Sequence, residues 1–394
     1  MTRAAGSIAT MTSDRPIIVI GAGIAGIALS LGLVRAGRHI VLCEQAPAFA
    51  PVGAGITLSP SACTGLAWLG LGDILDNTAE PGEPPVLLDW STGVAGVTMP
   101  STAHLGQTRR LARADLHAIL IEALQGSSRA QILMNAQLVA LKETADEGIT
   151  AQMSDGRLVA GSQLFGADGA RSTVRRELFG DGRADFTGFV AWRFAVPIET
   201  AAPHLGRQGA MITAGPAASL TCYTVKQGTV LNCVAITRAH DWAPEGWSEP
   251  GDPDELARQF QDAHSQAQAV IALAKSNNLY RWGLFDGPIL TSWSRGPVAL
   301  LGDAAHPLSP FLAFGAGLAI EDAVVLARAV ATLPPDRAIA AFEKERMPRA
   351  SRLHTASRAQ AAAFAGAKDG DLPKEAPMLD PAIFAYDPVA APLD

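Results

Sequence analysis

The spacing of apolar residues changes along the chain, and each change marks an element. Pro16-Ile-Ile-Val-Ile20 is a β-branched run without polar interruption, the pattern of a strand buried on both faces. An apolar helical stretch follows to Ala36, with Gly37 as its stop. His39-Ile-Val-Leu-Cys43 then reads as a second strand, completing a βαβ unit. Ser59-Pro60 supplies an N-cap and a proline at the first helical position, which predicts a helix to about Leu69. Residues 81–104, with prolines, glycines and short apolar runs, read as an excursion from this first layer. Leu116, Ile119, Leu120, Ala123 and Leu124 line one face of a further helix. Short strand-like runs follow at 132–134, 137–142, 149–153 and 163–166.

From Phe186 to about Thr237 the helical period gives way to alternation, at 188–196, 210–213, 220–225 and 229–236. This predicts an antiparallel sheet, closed by one or two helices over Pro253–Ala274. Val298–Leu301 returns as a buried strand, leading into a helix from about Gly315 to Thr332. A long helix from Asp336 to about Phe364, through Pro348, ends the pattern, and the Pro/Asp-rich end from Lys368 reads as loosely held. The expected organisation is a tail over 1–14 and a discontinuous first domain over 15–80, 105–185 and 295–335. A sheet-rich second domain covers 81–104 and 186–294, followed by a helix over 336–367 and a tail over 368–394. The fold class is α/β, with a Rossmann-like first domain. Function is expected where its pieces meet the second domain.

Composition narrows the class. The 394 residues are 48% hydrophobic and 18% charged, enough for a large core and too apolar for a disordered chain. The net charge of −7 offers no basic footprint, which argues against nucleic acid as a partner. Cys43, Cys63, Cys222 and Cys233 form no CxxC pair, so neither a disulfide framework nor a zinc site is expected, and reduced thiols in the cytoplasm are. No metal-ligand spacing, GxSxG elbow or P-loop is present. The first fourteen residues lack the apolar centre of a secretory signal, and the apolar stretch Val298–Ile320 is interrupted by Asp303 and His306, so no membrane association is expected.

Gly21-Ala-Gly23-Ile-Ala-Gly26 lies between the first strand and its helix. Gly21 permits the tight turn, Gly23 lets the backbone approach a pyrophosphate, and Gly26 allows helix and strand to pack closely. The helix N-terminus offers its free N–H groups and positive dipole end to the phosphates. Glu44, 23 positions after Gly21, ends the second strand, where a carboxylate accepts hydrogen bonds from an adenosine ribose and repels a 2′-phosphate. FAD or NAD is therefore expected there, and NADP is not. Two further motifs follow strand-like runs: Gly166-Ala-Asp168-Gly169-Ala-Arg171-Ser172 and Gly302-Asp303-Ala-Ala-His306-Pro307. Gly315-Ala316-Gly317 opens the next helix with residues small enough for backbone N–H groups to meet a flat ring.

With these motifs in order, the sequence resembles the single-component (group A) FAD-dependent aromatic hydroxylases, of the para-hydroxybenzoate and salicylate hydroxylase type. Its pattern is most similar to the salicylate hydroxylase and 6-hydroxynicotinate 3-monooxygenase branch. The resemblance runs from about Pro16 to Phe364 and includes Val52-Gly-Ala-Gly-Ile56, Arg113-Ala-Asp-Leu116, Ala191-Trp-Arg193, Asn232-Cys-Val-Ala235 and Ile320-Glu-Asp-Ala323. It implies a para-hydroxybenzoate hydroxylase-like fold, FAD as cofactor, NADH or NADPH as co-substrate, and O2 and a small aromatic molecule as partners. Gly21, Gly23, Gly26 and Glu44 would hold the ADP half, and Arg113 would reach the linker. Asp168 would belong to a motif serving both FAD and the nicotinamide. Gly302 and Asp303 would lie at the ribityl or pyrophosphate region, with Pro310 beside the isoalloxazine. Gly315, Ala316 and Gly317 would face the flavin N1–C2=O edge, where a helix N-terminus stabilises the anion of the reduced ring. Where relatives often carry Gln and a polar loop residue, this chain has Phe314 and Phe311, read as apolar lining of the substrate space. Ser61 replaces the usual Asn after Ser-Pro.

In that family reduced flavin takes up O2 at C4a, and the hydroperoxide passes an OH group to an electron-rich ring, with the cofactor carrying the difficult chemistry. A base that deprotonates a substrate phenol would assist. His306 is a candidate base, although a packing histidine is the favoured reading. Tyr223 matches a substrate-contacting tyrosine of relatives or is a core residue with a satisfied hydroxyl. Arg193 could hold a substrate carboxylate, with a structural ion pair the favoured reading. Thr57 could face flavin or substrate, or be a polar strand residue. The resulting expectation is a monooxygenase for a small hydroxylated aromatic or N-heterocyclic acid, with or without decarboxylation, active as a monomer or homodimer. Its alternatives are a relative acting on a larger antibiotic- or polyketide-like molecule, a flavin oxidase or dehydrogenase, and a non-catalytic FAD-bearing protein.

Overall fold

Buried apolar runs of three or four residues build the sheet that carries the motifs. The computed structural model describes residues 15–50, 55–98, 107–144, 148–180, 185–205, 210–216, 218–242, 249–366 and 383–394. Six strands lie in the order Ser294–Arg295, Val298–Leu300, Gln163–Gly166, Ile17–Ile20, Ile40–Cys43 and Ala130–Leu133. Only the two-residue strand Ser294–Arg295 runs antiparallel to its neighbour. The register aligns Ile20 with both Gly166 and Cys43, and Gly166 with Leu300. The glycine-rich turn, Glu44, the Asp168 loop and the Gly302-Asp303 loop therefore leave the sheet at one common edge, the carboxyl edge where open α/β sheets bind ligands. Helices Ile24–Arg35 and Gly315–Thr332 pack together so closely that a Cβ on Gly32 would lie 2.5 Å from the Ala327 Cβ.

A second sheet has eight strands, in the order Glu249–Pro250, Tyr280–Asp286, Asp185–Pro197, Val230–Arg238, Ala218–Val225, Ala210–Ala214, Val86–Leu88 and Ala95–Thr98. The stretch 81–104 thus supplies the last two strands at one side of this sheet, with 99–106 outside the described residues. Side-chain alternation gives this sheet two different faces. Val190, Trp192, Phe194, Leu220, Cys222, Leu231 and Cys233 form a core with helices Pro253–Gln259 and Ser265–Ala272. The alternate residues, Arg193, Tyr223 and Asn232 among them, point the other way. A small sheet of Gly55–Leu58, Arg109–Ala112 and Glu80–Pro81 bridges the two. Its strand Gly55–Leu58 lies so close to that second face that a Cβ on Gly55 would meet the Tyr223 ring at 2.7 Å.

Helix Pro60–Trp68 starts under the Ser59 cap, whose hydroxyl accepts the Ala62 N–H at 3.3 Å. The final helix spans Pro335–Gly366. The end of the chain corrects the expectation of a loose tail. Over 383–394, Ile383 and Ala391 are buried, and Arg328 donates to the carbonyls of Pro388 and Ala391 at 2.8 and 2.9 Å. The Tyr386 ring lies 4.2 Å from Arg349 and 4.8 Å from Arg346, a cation–π contact the sequence alone did not reveal. Residues 1–14 and 367–382 fall outside the description, as do Pro51–Ala54, which hold part of the Val52–Ile56 motif.

Candidate active site

The glycine-rich turn is built around contacts that no larger residue allows. Gly21 has φ +96°, and a Cβ there would sit 2.5 Å from the Ala167 carbonyl oxygen. A Cβ on Gly26 would overlap the Gly21 carbonyl oxygen at 1.9 Å. Gly23 differs: a Cβ there would meet nothing within 4 Å, so its bareness leaves open space above the turn. The helix that begins at Ile24 has no side-chain cap and no acidic residue in its first turn, which leaves N–H groups and the positive dipole end available to an anion. Glu44 braces the turn, accepting the Ala22 N–H on one carboxylate oxygen and the Ala46 N–H on the other, both at 2.8 Å. His117 Nε2 lies 2.8 Å from the Ala22 carbonyl oxygen. Sequence reading missed His117, although it stands four residues after Arg113, on the same face of helix Arg113–Gln125.

The other two loops converge on this turn. Asp168 accepts the Ser172 hydroxyl at 2.5 Å and the N–H groups of Thr173 and Val174 at 2.7 and 3.1 Å. Its carboxylate thus shapes the loop and holds the first N–H groups of helix Thr173–Phe179, whose N-cap is Ser172. Arg175, also missed, joins the loops by donating to the carbonyls of Ala304, at 2.9 Å, and Ala170. Asp303 is enclosed, and burial pushes its carboxyl up while His306, Arg113 and Arg175 pull it down. Burial lowers the Arg113 guanidinium, against the attraction of Asp303. Gly302, with φ +58°, turns the chain at the head of this loop.

A second bare helix end lies on the same side. Helix Gly315–Thr332 starts after Phe314 with no side-chain cap and no acid in its first turn, and a Cβ on Gly315 would meet only open space. The Ala316 and Gly317 N–H groups share this first turn, and a Cβ on Gly317 would press on the Ser59 hydroxyl at 3.1 Å. Pro310 opens a short 3-10 turn that ends at Ala313 in the left-handed region, φ +55°. Two uncapped helix ends, the bare Gly23 and Gly315, and the Arg113 cation fit a pyrophosphate-linked dinucleotide whose flat ring becomes anionic on reduction.

His306 belongs to a buried network of charges. Its Nε2 meets Asp322 Oδ2 at 2.6 Å. Arg346 joins Asp322 and Glu321 at 2.8 and 2.6 Å, Arg349 reaches Glu321 at 2.7 Å, and the Ser61 hydroxyl donates to Glu321 at 2.6 Å. The cations hold both carboxyls below the ordinary carboxylate range against their burial. His306 Nδ1 is buried without a partner, and the ring packs 5.0 Å from Trp293.

The free face of the eight-stranded sheet gathers the remaining candidates. Tyr223 sits directly across from Asn232. Burial raises its phenol, against Arg193, a hydrogen bond from Thr57, and Arg110, whose guanidinium lies 5.2 Å from the ring. Asn232 Oδ1 accepts the Gly55 N–H at 2.7 Å. Arg193 lies 4.2 Å over the Trp282 ring, and burial, the leading cause, lowers its guanidinium to about 10. The favoured reading of Arg193 as half of a structural ion pair is corrected: among the described residues no carboxylate pairs with it, the groups acting on it are the Tyr223 phenol and the cation Arg113, and its Nε has no partner. Phe311 packs edge-on against Phe189 at 5.4 Å, on the same face. Phe314 is the second correction. It is buried against Phe384, Leu318, Leu353 and Ile383, because the returning C-terminal segment covers it, and it does not line this space.

The family model described as "FAD binding domain" matches residues 14–357. The chain belongs to this FAD-binding family. Among its relatives, 3-hydroxybenzoate 6-hydroxylase 1 of Aquipseudomonas alcaligenes is 33% identical over 351 residues, covering 87% of each chain. A 3-amino-4-hydroxybenzoate 2-monooxygenase of Streptomyces platensis is 34% identical, covering 88% of each. The solved structure of Klebsiella pneumoniae HpxO with FAD and uric acid superimposes with a TM-score of 0.78 at 26% identity, covering 90% of each chain. The family member described here is a flavoprotein monooxygenase, and FAD is its cofactor. Among its described residues no helix is long and apolar enough to cross a membrane.

Proposed function

We propose that this enzyme hydroxylates a small hydroxylated aromatic or N-heterocyclic acid, using NADH or NADPH and O2, with decarboxylation as a variant of the same attack. The observation that carries the reading is the polar face formed by Tyr223, Arg193 and Asn232, walled by Trp282 and Phe311 and linked through Arg113 to the Asp303 loop. Bound FAD would supply reducing equivalents and the activated oxygen atom. Gly21, Gly23, Gly26 and Glu44 would hold its adenosine half, and Arg113 and Asp303 its linker. The N–H groups of Gly315, Ala316 and Gly317 would meet the ring edge that gains negative charge. The chain's own work is then to orient the substrate ring, exclude water and keep a proton in place.

Tyr223 suits that last task. Its raised phenol keeps its proton at neutral pH, so it acts as a hydrogen-bonding partner to a ring hydroxyl and not as an ionised base. Phe311 and Phe189 shield the space from water. Arg193, Thr57 and Tyr223 are the residues assigned to the substrate. His306, with Nε2 held by Asp322, positions the Gly302–Asp303 loop. The reading places the enzyme in the cytoplasm, where NAD(P)H is supplied, as a monomer or homodimer.

The test follows NADH and NADPH oxidation by the FAD-loaded enzyme across hydroxylated benzoates, phenols and hydroxypyridine acids, with product analysis under 18O2. Ring-stimulated oxidation with one labelled oxygen in the product is expected. A product without label would overturn the reading in favour of an oxidase or dehydrogenase, and stimulation only by a large polycyclic substrate would overturn the small-acid assignment.

A further inference from the structure

We propose that the cleft between the bulged start of strand Asp185–Pro197 and the last helix is the entrance by which the ring substrate reaches the sheet face, with Phe189 and Phe311 as its gate. The inference rests on the hydroxylase reading and assigns that substrate its route. Three observations meet here.

A β-bulge builds the cleft. Strand Asp185–Pro197 pairs Asp185 with Asp286 and Phe186 with Phe285, and pairing resumes only at Val190 with Gly283. Thr187, Gly188 and Phe189 thus stand against Leu284 alone, with Gly188 at φ +82° and the Thr187 hydroxyl donating to the Leu284 carbonyl at 2.9 Å. Such a bulge bends its strand and re-aims a side chain, here Phe189. The cleft beside it has a volume of about 360 Å³, in the range of small-molecule sites.

The last helix holds the other wall in place. His354, Arg358, Ala361 and Ala362 follow an i, i+4, i+7, i+8 spacing and share one helix face. The first two fasten that face to the sheet end: both meet the Asp286 carboxylate, and Arg358 also donates to the Gly287 carbonyl at 2.7 Å. The two alanines line the space beyond with the least side chain. The cleft runs from exposed Asp185 and Ala362 to buried Phe189 and Ser309. Arg358 answers the Asp286 charge, and Phe186 and Phe189 supply an apolar wall, so the lining suits an aromatic ring with a polar substituent.

Phe189 belongs to both spaces. It lines the cleft and packs edge-on against Phe311 at 5.4 Å, in the cluster that includes Trp282, on which Arg193 stacks. The ring pair therefore stands between the cleft and the sheet face. The loop that carries Phe311 is fixed at one end, where the Ser357 hydroxyl donates to the Ser309 carbonyl at 2.8 Å. Beyond Ser309 lies a single 3-10 turn that ends on Ala313 at φ +55°, a strained backbone for a residue with a Cβ. A change of the Phe311 rotamer joins the two spaces without moving either sheet.

The experiment mixes FAD-loaded enzyme with 3-hydroxybenzoate or with phenol and follows flavin absorbance by stopped flow. Ala361→Trp and Ala362→Trp each set an indole in the cleft. Their association and dissociation rate constants are expected to fall together, by about tenfold, with the dissociation constant unchanged, because an obstructed passage raises a barrier and alters neither end state. Ala359→Trp, exposed on the same helix and outside the cleft, should match wild type. Phe189→Leu, which thins the gate, should raise both rates. FAD content and melting temperature of each variant are measured alongside, and the exposed Ala362 site accepts an indole without repacking. Wild-type rates in both cleft variants overturn the entrance, as does a weaker dissociation constant at an unchanged association rate, which makes the cleft part of the binding site. A wild-type flavin that answers neither probe overturns the small-acid reading and the entrance with it, whereas the first two results strike the entrance alone.

Discussion

His306 Nε2 and the Asp322 carboxylate meet at 2.6 Å inside the protein, and the same carboxylate oxygen accepts the Gly302 N–H at 3.0 Å. Asp322 thereby ties the third motif loop to the long helix that bears Arg346, its partner on the other oxygen. Asp322→Asn would remove the buried carboxylate charge that meets Arg346 Nε at 2.8 Å, leaving Arg346 to Glu321 alone. We expect a loss of about 3–5 kcal/mol in unfolding free energy, measured by denaturant titration at neutral pH. The Asp322 carboxyl is depressed in the folded state, so its stabilisation is complete above the unfolded carboxyl pKa and is lost as the pH falls toward the folded one. The gap between wild type and Asp322→Asn should therefore be constant above about pH 5 and narrow below about pH 4. A gap that widens on acidification would refute this assignment.

Gly23 and Gly26 stand three residues apart and predict opposite phenotypes. Gly26→Ala forces a Cβ into the Gly21 carbonyl and should destabilise the apoprotein by at least about 2 kcal/mol while abolishing FAD binding. Gly23→Ala meets no protein atom, so its thermal unfolding should match wild type while its FAD dissociation constant rises about tenfold or more. Melting curves and flavin titration separate the two. A Gly23→Ala protein that binds FAD normally would remove the pyrophosphate from this turn.

Phe311 and Phe314 give a second such pair. Phe314→Ala removes a ring from the cluster with Phe384 and Leu353 and should cost about 3–5 kcal/mol of stability without changing substrate preference. Phe311→Ala should alter KM across the aromatic panel at a smaller stability cost, because Phe311 is only partly buried at the sheet face. Comparing unfolding midpoints with KM ratios for two substrates decides it.

Tyr223→Phe tests the neutral phenol. Burial keeps the proton on Tyr223, so the wild-type rate profile should show no tyrosine break between about pH 6 and 9. Without the hydroxyl, NAD(P)H oxidation should continue while hydroxylated product per nicotinamide oxidised falls about tenfold, the remainder appearing as peroxide. Unchanged coupling would relegate Tyr223 to packing.

The sequence by itself determined what local chain physics controls. Gly21 had to be glycine for its positive φ, Gly26 for helix–strand contact, and Ser59-Pro60 had to start a helix; each demand is met within a few residues. The buried apolar runs were legible as strands because residues covered on both faces need no polar alternation. Their glycine and aspartate endings were legible as loops for the same local reason. Tertiary structure decided everything that depends on which distant residue arrives. Whether Arg193 has an anion depends on what faces its strand, and its neighbours proved to be a tryptophan and another arginine. Phe314 and Phe311 carry the same side chain three positions apart, yet segment 383–394 folds back over one and leaves the other facing the sheet. Gly55 and Asn232 are 177 positions apart in the chain and share a hydrogen bond. Periodicity reports the face a residue presents within its own element, and only packing supplies the group that meets that face.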